Sequence, residues 1–318
     1  MIYTDQAAKL RTLQNGNINK NTNDHLKNPE DSMNEGNFTY QDVNEGYNKI
    51  ISKVIAVTSG KGGVGKTTFS VNFSIMLAKL GKKVLLMDGD LGLANVNVLL
   101  GIVPEHNIYE VFRGKKKVKD IVIKTHYGID FIAGANGIYQ LANLSEEQRE
   151  MFIKDLDELV GYDYLIIDTG AGIGQNVLSF LKSADEVIVI TTPEPTAITD
   201  AYGMIKSIVV NKADKKIKLI VNEVESAIEA KKVADRLIEI SAQFLKAEVE
   251  NIGFIYKEEF VQKSIRIQRP LIIAYPNAKS STCIYHITKR ILNIEDHDEN
   301  RSGISGFFSK FFQIFQDT

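Results

Sequence analysis

Short apolar runs alternate with longer amphipathic segments along most of this chain. Runs of four or five mainly apolar residues occur at 54–58, 84–88, 129–133, 164–167, 187–191, 217–221 and 252–255, and amphipathic segments lie between them at 66–80, 145–160, 197–210 and 227–245. Nearly continuous apolar strands separated by helices are typical of a parallel sheet buried on both faces. The pattern therefore predicts an α/β fold: a doubly wound, mostly parallel sheet with helices on both faces.

The same pattern divides the chain into segments. Residues 14–48 are rich in Asn, Asp, Glu, Lys and Gly and poor in apolar residues. They cannot bury enough surface to offset the entropy lost on ordering, so we interpret them as a flexible linker. This linker joins an N-terminal helix at 1–13 to one domain at 49–292. A second linker at 293–302 leads to a C-terminal amphipathic helix at 303–316.

Composition narrows the class of protein. The 318 residues are 44% hydrophobic, which is ample for a core, and the net charge of −2 gives no general attraction to nucleic acid. We therefore expect no specific nucleic-acid partner. We also expect no membrane-spanning segment, because no apolar stretch is long enough, and no secretory leader. The single cysteine, Cys283, agrees with a reducing cytoplasm and cannot supply the paired ligands of an iron–sulfur cluster.

A glycine-rich loop follows the first predicted strand and precedes the first predicted helix. It matches G-x-x-x-x-G-K-[ST], the pattern whose backbone N–H groups close around phosphate oxygens at a helix N-terminus. Lys66 would reach the β- and γ-phosphates, and the Thr67 hydroxyl would take one position on Mg²⁺. The sequence thus predicts a site for a nucleoside triphosphate, built from Gly60, Lys61, Gly62, Gly63, Val64, Gly65, Lys66, Thr67 and Thr68.

A second lysine, Lys61, stands directly after the first glycine of this loop. With it, the loop resembles that of the deviant Walker A ATPases, the MinD/ParA family. The resemblance to this family covers roughly residues 50–292. The resemblance implies an ATPase that uses Mg²⁺ and forms a homodimer with ATP. In such a dimer Lys61 contacts the nucleotide of the other subunit and takes part in catalysis together with Lys66. The alternative is a solvated loop lysine.

Acidic residues follow two of the predicted strands. Asp88 and Asp90 end the run at 84–88 and resemble the family's first switch, where the second Asp positions the attacking water and helps to hold the water shell of the metal. Asp90 is therefore the predicted hydrolytic residue, with Asp88 in support. Asp168 follows the run at 164–167, which is the arrangement of a Walker B carboxylate that holds Mg²⁺. A solvated turn is the alternative for the first pair, and a structural role for Asp168.

The base of the nucleotide is predicted from Asn222, which follows the run at 217–221. A side-chain amide can both donate to and accept from a purine edge, and the family uses this Asn for adenine. ATP is therefore favoured. GTP remains the alternative because the guanine-type letters Asn-Lys-x-Asp occur at 211–214, although they precede a strand rather than follow one.

The C-terminal segment has an apolar face. On a helix, one side would carry Ile304, Phe307, Phe308, Phe311, Phe312 and Phe315, with Ser305, Ser309 and Gln313 on the other. The segment is too short to span a bilayer but can lie in its surface, which predicts peripheral attachment to the inner face of the cell membrane. The alternative is that the face packs on the domain or on a partner.

The N-terminal segment Asp5-Gln6-Ala7-Ala8-Lys9-Leu10-Arg11 resembles an element of the flagellar-number regulators, the FlhG branch of the MinD group. The resemblance implies that Asp5, Gln6, Leu10 and Arg11 stimulate a partner GTPase, FlhF, and that flagellar basal-body proteins are further partners. The function predicted is an ATP-dependent, membrane-associating switch that regulates flagellar number and placement. A MinD-type division-site regulator and a ParA-like DNA partition ATPase are the alternatives.

Overall fold

The computed structural model describes residues 53–90, 95–134, 155–156, 159, 161–211 and 215–294. The predicted elements at 1–13, 14–48 and 303–316 lie outside these residues, as do most of the second linker and most of the segment 145–160. One sheet is formed by β1 (Lys53–Ser59), β2 (Val84–Gly89), β3 (Val122–Lys124), β4 (Asp130–Ile132), β5 (Tyr164–Ala171), β6 (Glu186–Thr191), β7 (Lys216–Val224) and β8 (Val249–Tyr256).

The strands lie side by side in the order β3-β4-β2-β5-β1-β6-β7-β8. All neighbouring pairs are parallel except β3 with β4, which is antiparallel. Strand β1 lies in the interior, and successive strands are added on both sides of it, so the predicted doubly wound, mostly parallel sheet is confirmed. Where the winding changes direction, the loops at the carboxyl ends of the strands diverge and open a crevice for a ligand.

Helices cover both faces of the sheet. In the described residues they are α1 (Lys66–Lys79), α2 (Val96–Leu100), α3 (Ile108–Phe112), α4 (Gln175–Ser183), α5 (Pro195–Val210), α6 (Ala227–Leu245), α7 (Glu259–Arg266), α8 (Leu271–Ala274) and α9 (Lys279–Ile291), with a 3₁₀ turn at Val118–Ile121. Phe73 of α1 and Ile287 of α9 belong to the core on one face. Met204 of α5 and Leu237 of α6 belong to the core on the other. No helix in the described ranges is both long and apolar enough to cross a membrane.

Local sequence explains where several helices begin. The hydroxyl of Ser226 accepts a hydrogen bond from the backbone N–H of Glu229 and so caps α6. Pro195 stands at the first position of α5, where its missing N–H costs nothing. Glu258 accepts hydrogen bonds from Lys279 N and Ser280 N at the start of α9, which ties that helix to the carboxyl end of β8.

The strands extend beyond several predicted limits. Strand β5 continues to Ala171, so Asp168 lies within the strand, paired with Asp88 of β2, rather than after it. Strand β7 continues to Val224, with an irregular register beyond Val221 that contains Asn222. The antiparallel strand β3 was not predicted. Its three residues, at the edge of the sheet, give too short an apolar run to stand out in the sequence.

Candidate functional site

The glycine-rich loop lies at the carboxyl end of β1, in the crevice. Gly63 and Gly65 have φ of 80° and 86°, in the left-handed region that disfavours a side chain, and α1 begins directly afterwards. A β-carbon on Gly65 would lie 2.3 Å from Nδ2 of Asn222, and one on Gly60 would lie 2.1 Å from the carbonyl oxygen of Asp200. The loop therefore needs glycine both for its backbone angles and for close contact with β7 and α5.

A cavity of about 500 Å³ opens beside this loop. Its volume lies within the range of small-ligand sites. Side chains of α2, α7 and α9, including Val98, Val261 and Ile284, form an apolar part of the wall. Of the predicted site residues, those that line the cavity are Gly62, Gly63, Gly65, Lys66, Thr67, Thr68, Asp90 and Asn222, whereas Gly60, Lys61, Val64, Asp88 and Asp168 do not.

Asp168 lies beneath the loop, in the interior of the protein. It is inaccessible to solvent, and burial raises its pKa against the opposing effect of Lys66. The ammonium of Lys66 lies 3.4 Å from Oδ1, and the hydroxyl of Ser70 lies 2.8 Å from the same oxygen. The other oxygen, Oδ2, is buried without a hydrogen-bond partner in the described part of the chain. A buried carboxylate oxygen in this condition is suited to a cation.

The residues present fit Mg²⁺. The hydroxyl of Thr67 lies close enough to Asp168 to help lower the pKa of that carboxyl, so a hydroxyl and a carboxylate oxygen converge beside the loop. Within the described ranges, no group of three His, Cys, Asp or Glu side chains could enclose a metal unaided. Mg²⁺ does not need such a group, because it retains water molecules and takes phosphate oxygens as ligands. The site thus fits an ion that binds together with a nucleotide.

Asp88 and Asp90 occupy different positions at the end of β2. Asp88 is buried and does not line the cavity. Its Oδ1 accepts from Asp90 N at 3.0 Å, and its Oδ2 accepts from Val96 N at 3.4 Å, so the side chain joins the two ends of the loop after β2. Asp90 lines the cavity, and its carboxylate lies beside Gly170 of β5. The geometry therefore gives Asp88 an anchoring position and Asp90 the position nearer the ligand.

Lys61 points away from the cavity of its own chain. Its ammonium donates to Oε1 of Glu194 at 2.8 Å and to the hydroxyl of Thr196 at 2.9 Å. The hydrogen bond from Lys61, followed by that from Thr196, lowers the pKa of the Glu194 carboxyl. Both partners are exposed, at the start of α5. An exposed ion pair of this kind is weak and easily exchanged.

Asn222 connects the loop to the far side of the cavity. Its Nδ2 donates to the carbonyl oxygen of Val64 at 2.8 Å, and Oδ1 has no hydrogen-bond partner in the described residues. The competing guanine-type letters begin at Asn211, which ends α5 and donates to Ser207 O at 2.8 Å. Asn211 precedes β7, at the amino end of that strand and so at the opposite edge of the sheet from the cavity. Its position agrees with the preference for ATP.

Two groups illustrate the residues at the site that were not predicted. Ser70 contacts Asp168, and its spacing of four residues from Lys66 is the only signal in the sequence that places it on the same face of α1. The other group is Tyr256, Lys257 and Glu258, which line the cavity at the end of β8. Their position at the carboxyl end of a parallel strand could have indicated them.

The chain is similar to a known protein family and to several individual proteins. The family model described as an AAA domain matches residues 52–222. The antiactivator FleN of Pseudomonas aeruginosa is 36% identical over 240 residues, covering 75% of this chain and 86% of FleN. The flagellum site-determining protein YlxH of Helicobacter pylori is 33% identical over 272 residues, covering 84% of this chain and 92% of YlxH.

The chain belongs to the MinD/ParA family of ATPases. A solved member, the septum site-determining protein MinD of Pyrococcus horikoshii complexed with Mg-ADP, superposes with a TM-score of 0.62 at 25% identity, covering 76% of this chain and 96% of that one. This MinD/ParA protein is therefore an ATPase with the fold predicted from its sequence. FleN and YlxH, among its relatives, indicate the flagellar branch of the family.

Proposed function

We propose that this ATPase is a dimerising, membrane-associating switch that regulates flagellar number and placement, and that it stimulates the GTPase FlhF through its N-terminal element. Support for the flagellar role comes from the names of FleN and YlxH and from the extent of the matches to them. Support for the switch comes from the site, where Asp90 after β2 and Ala171 at the end of β5 line the cavity together with the glycine-rich loop.

In this proposal ATP occupies the cavity with its phosphates against the loop. Lys66 would move from Asp168 to the β- and γ-phosphates, while Thr67 and Asp168 would hold Mg²⁺, which would supply charge neutralisation for the phosphates. Asp90 orients the attacking water, and Asp88 fixes the position of Asp90 through its backbone. On the base side, Oδ1 of Asn222 accepts from the amino group of adenine. Guanine presents a carbonyl oxygen at that position and would meet the same acceptor unfavourably.

The observation that carries the dimerisation step is the position of Lys61. The lysine is outside its own cavity, and in the described part of the chain its ammonium pairs with the exposed Glu194 and Thr196. A neighbouring subunit's triphosphate carries more charge than one carboxylate and would draw the ammonium across the interface. Each subunit then completes the site of the other, and hydrolysis removes the charge that holds them together.

In this proposal dimerisation strengthens membrane association, because a dimer carries two apolar faces. One copy of the apolar face at 304–315 gains about 1 kcal/mol for each half-buried side chain, which barely offsets the ordering of a short helix. Two copies joined in a dimer raise the affinity by roughly 10²–10⁴-fold through effective concentration. ATP would therefore control attachment without any direct contact between nucleotide and lipid.

The test compares wild type with Lys61→Ala for molecular mass in solution and for co-sedimentation with liposomes. With a non-hydrolysable ATP analogue and Mg²⁺, wild type should become a dimer and sediment with lipid, whereas with ADP it should do neither. Lys61→Ala should remain monomeric and unbound. Lys231→Ala removes another exposed lysine that pairs with a carboxylate, Asp235, and should behave as wild type. A wild type that stays monomeric with the analogue would contradict the proposal.

The partner-activation step has its own test. A peptide of residues 1–20 should accelerate GTP hydrolysis by FlhF, because the segment is too short to be a stable helix alone and would fold on its partner. The same peptide with Gln6→Ala should have lost most of this effect if Gln6 orders the attacking water. No acceleration by the unchanged peptide would remove FlhF from the proposed function while leaving the ATPase switch in place.

A further inference from the structure

The hydroxyl of Ser70 makes a contact that the proposed mechanism does not use. Ser70 lies one turn after Lys66 on α1 and is inaccessible to solvent. Its hydroxyl is 2.8 Å from Oδ1 of Asp168 and 3.0 Å from the carbonyl oxygen of Lys66. A hydroxyl has one hydrogen to donate, and the charged carboxylate is the stronger acceptor at the shorter distance. The hydrogen therefore goes to Asp168.

The other donors beside Asp168 have second duties. Lys66 is 3.4 Å from Oδ1, farther than Ser70, and in the proposed function it moves to the phosphates. Thr67, whose hydroxyl also affects this carboxyl, is the proposed ligand of Mg²⁺. Once a nucleotide and its ion are bound, Ser70 is the side chain that continues to hold Oδ1.

Fixing Oδ1 also fixes Oδ2, since the two oxygens share one rigid carboxylate plane. Oδ2 is the buried oxygen without a partner in the described chain, and it is the atom suited to the cation. If the carboxylate were free to turn about its bond to the side chain, Oδ2 would face the ion only part of the time. Hydrogen bonds to the ligands of a metal orient those ligands and tune their affinity for it.

We propose that Ser70 is a positioning residue that orients Asp168 for Mg²⁺ in the nucleotide complex. The inference rests on the proposed magnesium site and extends it to a residue that does not itself touch the ion. Its signature is a change in the affinity for Mg²⁺ with no change in the binding of nucleotide in the absence of Mg²⁺.

The helix supplies a matched control. Ser74 is also buried on α1, one turn farther along, and its hydroxyl donates to the carbonyl oxygen of Ser70 at 2.7 Å. It makes the same kind of backbone hydrogen bond as Ser70 could make but has no contact with Asp168. Ser70→Ala and Ser74→Ala thus remove the same atom from the same helix, and only the first removes a contact to the carboxylate.

The experiment measures binding of the fluorescent analogue mant-ADP to the full chain across a Mg²⁺ titration and in EDTA. Ser70→Ala should lower the apparent affinity for Mg²⁺ by about 10- to 100-fold and leave binding in EDTA unchanged. Raising the Mg²⁺ concentration should restore the ATPase rate of this variant, because the substitution weakens Mg²⁺ binding and leaves the hydrolysis step unchanged. Ser74→Ala should match wild type in both measurements. If Ser70→Ala does not fold, Ser70→Cys, a weaker donor of similar size, should show an intermediate loss.

Two outcomes would overturn the inference. If the two alanine variants weaken binding equally, or if Ser70→Ala weakens it as much in EDTA as in Mg²⁺, the role of Ser70 is structural. Asp168→Asn separates this inference from the proposed function. If that variant loses the dependence on Mg²⁺ while Ser70→Ala keeps the wild-type affinity for Mg²⁺, the magnesium site stands and only the positioning role falls. If Asp168→Asn keeps it, both fall. A double variant that adds no loss beyond Asp168→Asn would support the inference.

Discussion

At the scale of a single residue, the proposed base site depends on the orientation of the Asn222 amide. Its Nδ2 donates one of its two hydrogens to the carbonyl oxygen of Val64 at 2.8 Å, and this hydrogen bond orients the amide and leaves Oδ1 available as an acceptor for a purine. The direction of the amide is set by the loop and not by the nucleotide. In the proposed function, the protein therefore presents this acceptor for adenine before the ligand arrives.

Replacement of Asn222 should reduce the preference for ATP over GTP. We expect Asn222→Ala to weaken the binding of ATP by about tenfold, which corresponds to the loss of about 1.4 kcal/mol from one unmade hydrogen bond, and to leave the binding of GTP little changed. Competition of each nucleotide against mant-ADP measures both. Asn211→Ala is the matched control, since it alters the guanine-type letters at the end of α5. If Asn211→Ala, and not Asn222→Ala, changed the ratio, the assignment of the base site would be wrong.

Asp88 gives a prediction about pH. Its pKa is raised from 3.8 to about 6, chiefly because it is buried, and the nearby carboxylate of Asp168 adds to the shift. The folded protein thus holds this proton more tightly than the unfolded chain. The resulting stabilisation is complete below pH 3.8 and is lost as the pH rises through about 6.

The loss should be about 3 kcal/mol at most, since one pKa unit is worth about 1.4 kcal/mol. Asp88→Asn cannot titrate, so the difference in unfolding free energy between wild type and this variant should shift in favour of the variant as the pH rises from about 4 to about 7. Urea unfolding of the nucleotide-free proteins at several pH values measures it. A difference that does not vary with pH would show that Asp88 is not the titrating group.

At the scale of the elements, the sequence predicts the strands better than their ends. The runs at 84–88 and 187–191 correspond closely to Val84–Gly89 and Glu186–Thr191 because their buried residues are continuous in sequence. The ends of β5 and β7 are not evident from the apolar runs, because the polar residues Asp168 and Asn222 lie within those strands and interrupt or follow the runs. Polar residues in the sequence indicate the candidate site, whereas the ends of a strand are set by its backbone hydrogen bonds to neighbouring strands.

The packing of α9 on β8 requires a glycine that the sequence pattern does not explain. Gly253 has φ of 144°, and a β-carbon there would lie 2.7 Å from Cγ1 of Ile287 on α9. Arg290 of the same helix donates to Ile252 O at 3.0 Å. The helix therefore sits directly on the backbone of the strand at this residue.

Gly253→Ala should destabilise the fold by about 2–4 kcal/mol, because it combines a disfavoured backbone angle with overpacking. Gly203→Ala is the matched control. Gly203 is within α5, and a β-carbon there would have no neighbour within 4 Å, so alanine should stabilise by about 0.4–1 kcal/mol. Urea unfolding measures both. If the two substitutions changed stability in the same direction, the close approach of α9 to β8 would be in doubt.

At the scale of the whole molecule, the strand order explains why residues far apart in sequence share one site. Strand β1 has β5 on one side and β6 on the other, so the loop at 60–68 lies between Asp168 and Glu194. The sequence predicts the loop at 60–68 from its glycine-rich motif and Asp168 from a polar residue after an apolar run. It does not predict that Lys61 is paired with Glu194, since that pairing depends on the path of the chain between β6 and α5.

The coupling of hydrolysis to membrane attachment is the largest-scale prediction. Asp90→Ala keeps the loop, Lys66 and Thr67, so ATP should still bind, but hydrolysis should fall by about 10²–10⁴-fold if Asp90 orients the attacking water. The protein should then remain dimeric with ATP and sediment with liposomes more completely than wild type. Adding Lys61→Ala to this variant should abolish the gain, because the lysine acts before hydrolysis. If Asp90→Ala with ATP bound no more lipid than the ADP form does, dimerisation and membrane attachment would not be linked through the nucleotide.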